Sequence, residues 1–132
     1  MSTMSSLELR TKITSEARLE LWLEQVTVPK PAADEVVVRI DAAPINPSDI
    51  ILLLGPVDPL KIHAGGTPTR PTASASIPPD RMLGLEARLD KALPVGNEGA
   101  GIVVDAGSDV RAFFGRTMAV RSPLECSPST AW

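Results

Sequence analysis

The sequence predicts a mainly β chain, a small barrel or sandwich with two short helices inserted. Three observations carry that prediction. Apolar and polar residues alternate over "RLELWLEQV" (18–26) and again over "EVVVRIDAA" (35–43), the period of strands with one wet face. "GIVVDAGSDV" followed by "FFGRTMAV" reads as strand, turn and returning strand. Helical signals are confined to two stretches, "NPSDIILLLGP" and "PDRMLGLEARLDKA".

Composition sets the outer limits. The 132 residues are 43% hydrophobic and 22% charged, ordinary globular usage in one domain's worth of chain. A compact domain of that size buries roughly two thirds of the surface its unfolded chain exposes, enough for a self-sufficient core. With no Tyr, two Trp and two Phe, that core must be aliphatic. The net charge of −3 comes without a basic block, which argues against a nucleic-acid partner. At the start, Glu8, Arg10 and Lys12 stand where a signal peptide needs an apolar run, and no stretch is long enough to span a bilayer. A soluble, cytoplasmic protein with no membrane partner is therefore expected. The single cysteine, Cys126, cannot form an internal disulfide, and the single histidine, His63, has no second His or Cys near it in sequence. A structural metal is not expected, and His63 should face solvent.

In chain order, residues 1–17 are an N-terminal extension with room for a first strand. From Arg18 to Val26, Leu19, Leu21 and Leu23 point one way, and Glu20, Trp22 and Glu24 the other. "VPKPAADE" turns the chain. The next strand puts Val36, Val38 and Ile40 on one face and Val37, Arg39 and Asp41 on the other; two strands in succession argue for antiparallel pairing. Asn46 is a good helix N-cap, Pro47 suits the first helical position, Asp49 puts negative charge on the first turn, and Gly55-Pro56 ends the helix. Its Ile50–Leu54 run is expected to be mostly buried, with Asn46, Ser48 and Asp49 presented at its mouth. Residues 57–80, dense in Gly, Pro, Ser, Thr and Ala, read as a long surface loop or lid. After it, Met82, Leu85 and Leu89 share one face of a surface helix despite Gly84.

The stretch "LPVGNEGAGIVVDAGSDV" imitates a nucleotide loop. A dinucleotide fingerprint needs G-x-G-x-x-G between a strand and a helix, so that helix N–H groups meet the pyrophosphate. Gly96, Gly99 and Gly101 instead give G-x-x-G-x-G, after a proline and before a β-branched run. On its own the pattern says that Gly99 and Gly101 let a strand bend and another backbone come close. Ser48 is no nucleophile, because no histidine base stands beside it in sequence.

Taken together, "APINPSDI", the helix and loop after it, "PVGNEGAGIVVDAGSDV" and "GRTMAV" resemble the N-terminal, GroES-like domain of the medium-chain dehydrogenase/reductase superfamily. The resemblance covers roughly Leu19–Val120 and lies closest to the zinc-independent quinone oxidoreductase branch. It implies a GroES-like, partly open β-barrel over residues 18–121. In the superfamily's zinc alcohol dehydrogenases, a cysteine after the early strands and the histidine of "GHE" hold a catalytic zinc. Here those positions carry Asn46 and Asn97, neutral amides and poor zinc ligands, so no zinc is expected.

The resemblance further implies hydride transfer from NADPH or NADH to a quinone or enone. Such acceptors are already polarised and need mainly orientation, exclusion of water and a hydrogen bond to the developing oxyanion. Asn46, Asn97 and Ser48 become the catalytic candidates on this reading, with Asn46 and Asp49 beside the cofactor. Each has a simpler alternative: Asn46 as a helix cap, Asp49 as the neutraliser of a buried arginine or the stabiliser of the helix start, Glu98 as a structural acceptor rather than an acid. In the family a Rossmann domain follows, on the order of 100–200 residues. Here twelve residues follow Val120, and "SPLECSPSTAW" (122–132) reads as a divergent, disordered tail. The expectation is a catalytic-domain fragment truncated before its nucleotide domain, with little or no turnover alone. The competing expectation is a non-enzymatic interaction module, associating through apolar surface the missing domain would cover.

Overall fold

The computed structural model describes residues 4–121. The fold is mainly β, with two antiparallel sheets, neither of which closes into a barrel. The strands are β1 (Ser5–Ile13), β2 (Arg18–Thr27), β3 (Val36–Ala42), β4 (His63–Thr67), β5 (Arg70–Ser76), β6 (Leu93–Pro94), β7 (Glu98–Ala106) and β8 (Thr117–Arg121), and the α-helix is α1 (Pro47–Leu54). One sheet has five strands in the order β4-β5-β2-β1-β6, the other three in the order β3-β7-β8. β2 and β3 therefore do not pair, although they are consecutive: β2 lies between β1 and the distant β5, and β3 is antiparallel to the distant β7. The chain divides into two compact units, one built on Leu7–Val26 and Ile45–Val95, the other on Thr27–Pro44 and the stretch from Gly96.

The first unit holds the five-stranded sheet. Its core is aliphatic, as the composition requires: Ile13, Leu19, Val57, Ala75 and Ile77 are buried, with Leu21, Leu54, Ile62, Met82, Leu85 and Leu89 packed against them. Three of those five come from the segment expected to be a loop. Residues 63–76 instead form a hairpin, β4 and β5, which continues onto β2 with Leu19 opposite Ala75 and Leu21 opposite Ala73. Pro71 lies one residue beyond the last β2–β5 partner pair, Trp22 with Thr72, where a missing N–H costs no bond to β2. His63 is exposed on β4.

The surface helix expected after Asp80 is not formed. Two short 3₁₀ turns, Pro79–Arg81 and Glu86–Arg88, stand there instead, separated by Gly84 at φ +84°. A left-handed residue cannot continue a right-handed helix. The face was read correctly nonetheless, since Met82, Leu85 and Leu89 all pack on the core. α1 departs from expectation in the opposite sense. Its limits are those the sequence predicts, yet none of its residues is buried and Ile51 is 67% exposed. Two turns bring only its Leu54 end against the core.

The second unit holds the three-stranded sheet around Val28, Val37, Val38 and Val103. Two bulges interrupt the β3–β7 ladder. Val37 pairs with Asp105 and Val38 with Val103, leaving Val104 extra; Ile40 pairs with Gly101 and Ala42 with Ala100, leaving Asp41 extra. The first bulge breaks the expected alternation, and Val37 and Val38 are both buried. Gly101 and Gly107 are places where only glycine fits. A Cβ on Gly101 would lie 1.8 Å from the Arg39 carbonyl oxygen, and one on Gly107 1.8 Å from that of Ala32. β8 starts at Thr117, later than expected, because Ser108–Phe113 is a 3₁₀ segment and Gly115 turns the chain at φ +74°. The tail at 122–132, with Cys126, lies outside the described residues. Among those described, no helix is long and apolar enough to cross a membrane.

Candidate functional site

The start of α1 is organised by its sequence. Asn46 takes an extended N-cap conformation and is half-buried, and Pro47 opens the helix without an N–H to satisfy. The Asn46 carbonyl accepts from the N–H groups of Asp49 and Ile50, at 3.0 and 3.2 Å. In return the Asp49 carboxylate accepts the Asn46 N–H at 2.9 Å, one arm of a capping box. Of the two structural roles open to Asp49, this is stabilisation of the helix start. Ser48 is exposed, on the first turn, where the helix dipole is positive.

The other end of α1 has a partner the sequence did not suggest. No basic residue lies in its last turn, and the Leu52 carbonyl is one of those a helix end leaves without an intrahelical donor. Arg88, from the second 3₁₀ turn, donates to it through Nη2 at 3.1 Å. Burial pushes the Arg88 guanidinium below its ordinary pKa, and its buried Nε has no partner among the described residues. The cation is thus placed where the dipole favours it, at a cost in hydration.

In the second unit, Gly96 has φ +93° with nothing within 4 Å of where a Cβ would be. The left-handed backbone, and not lack of space, calls for glycine. Asn97 follows, half-buried, and its Oδ1 is buried without a hydrogen-bond partner among the described residues. Glu98 opens β7 opposite Arg121 of β8, with its Oε1 3.3 Å from the arginine Nε. That pairing makes Glu98 a structural acceptor. An open groove of about 530 Å³ runs along this end of the sheet, lined by Ala42–Pro44, Glu98–Ala100 and Ala119–Arg121.

Asn46, Ser48 and Asp49 thus come together at one helix start, while Asn97 and Glu98 sit in the other unit beside a strand end. Chemically, the helix start offers a hydroxyl and the positive end of a dipole. Asn97 offers an amide with both donors and an acceptor, the acceptor unused among the described residues. Arg88 and Arg121 were missed because their partners depend on tertiary placement and on strand register. No family model matches this chain, and no curated protein matches it in sequence.

Proposed function

We propose that the chain is the substrate-orienting part of an NAD(P)H-dependent, zinc-independent oxidoreductase that reduces quinones or enones. The observation that carries this reading is Asn97. Its buried amide oxygen has no partner among the described residues, a cost of roughly 1–3 kcal/mol, and a turn of the half-buried side chain toward a ligand would recover it. The residue stands where the zinc-dependent members of the resembled superfamily carry histidine. A neutral amide is a poor zinc ligand but a good hydrogen-bond partner for a carboxamide, a carbonyl or an oxyanion.

The donor set fits a nicotinamide better than a metal. Asn97 would hold the carboxamide end of the cofactor, and at the start of α1 Asp49 fixes the backbone from which Asn46 is presented. When bound, the cofactor supplies the hydride. The chain's own part is to orient the acceptor and donate to its oxygen as charge develops there, from the Asn97 amide. The protein is read as cytoplasmic, consistent with a reducing cofactor.

Calorimetric titration of NADPH into the purified chain, folded by circular dichroism, tests the reading. Micromolar binding supports it, and Asn97→Ala should then weaken that binding about tenfold, the loss of one hydrogen bond. A folded chain that gives no heat overturns it. A second reading, a non-enzymatic interaction module, is favoured by the apolar side chains left in solvent: Ile45 is 82%, Leu60 95% and Leu83 81% exposed. That reading requires concentration-dependent self-association or capture of a partner, with no cofactor affinity.

A further inference from the structure

We draw no further inference here: the strongest candidate, the open groove at the end of the three-stranded sheet between Ala42–Pro44, Glu98–Ala100 and Ala119–Arg121, is lined mostly by small residues and its cation Arg121 is already paired with Glu98, so nothing in the structure shows what would fill it.

Discussion

The two units reach stability by different routes. The five-stranded unit gathers Ile13, Leu19, Val57, Ala75 and Ile77 from four separate stretches into an aliphatic cluster. Among the described residues, the three-stranded unit has only valines as its buried large residues, and its tightest places are backbone against backbone, at Gly101 and Gly107. One is held by side chains that fill space, the other by the absence of side chains where strands and turns meet. The first kind of core loses stability in proportion to the volume removed; the second fails when volume is added.

The largest effect should therefore come from the smallest addition. Gly101→Ala places a methyl 1.8 Å from a carbonyl oxygen and within 3 Å of the Arg39 carbonyl carbon and the Ile40 Cα, all backbone atoms that cannot rotate away. The β3–β7 ladder must separate locally, a cost in the exceptional range above about 4 kcal/mol. Amide spectra should lose the dispersed signals of β3, β7 and β8 while those of β1, β2 and β5 persist. Loss of both sets would show that the units share one unfolding transition and would break the contrast. Next comes Leu19→Ala, in the other unit. Leu19 is 1% exposed in the cluster, so the change should cost about 3 kcal/mol, read as a lower urea midpoint at unchanged slope. A loss under 1 kcal/mol would mean that the cluster closes over the gap and is not the anchor of its sheet.

What was legible in the sequence follows the same division. Strong hydrophobic contrast was readable: the leucines of β2 mark a strand, and Asn46, Pro47, Asp49 and Gly55 mark the limits of α1. Weak contrast was not. In "TASASI" the alternation is Ala-Ser-Ala-Ser, too small a difference in polarity to announce a strand, although Ala75 and Ile77 are only 2% and 3% exposed. The sheet to which each strand belongs was not readable either, since β2–β5 and β3–β7 pairing is non-local. At the candidate site, the cap at Asn46 was local and legible. The unpartnered oxygen of Asn97 and the pairing of Glu98 with Arg121 depend on what the fold places around them.

A smaller effect should follow Asp49→Ala. The change removes the acceptor for the Asn46 N–H and a negative charge from the first turn, together about 1 kcal/mol. Hydrogen exchange should quicken at Asn46 and through the first turn of α1 and stay unchanged in β1 and β2. If protection in those strands falls as well, the helix supports the core more than the exposure of Ile50 and Ile51 indicates.

The smallest effect, of opposite sign, is expected at Thr11. Each unit contains one buried side-chain oxygen with no partner among its described residues, Thr11 Oγ1 in the first and Asn97 Oδ1 in the second. Thr11 is fully enclosed on β1 at 0% exposure, whereas Asn97 is half-buried and only its Oδ1 is shut away, so that its side chain can turn toward a ligand. A buried hydroxyl without a partner gives nothing back for its lost hydration, so Thr11→Val, which replaces it with a methyl of similar shape, should stabilise by up to about 1 kcal/mol. Urea unfolding measures that gain, and the same variant should leave any NADPH affinity untouched. Asn97→Ala removes the orphan in the other unit and should also leave the midpoint level or higher, but at the expense of ligand affinity. Should Thr11→Val lower the midpoint instead, its hydroxyl has a partner such as an enclosed water, and an unpaired oxygen at Asn97 would lose its force as a sign of binding.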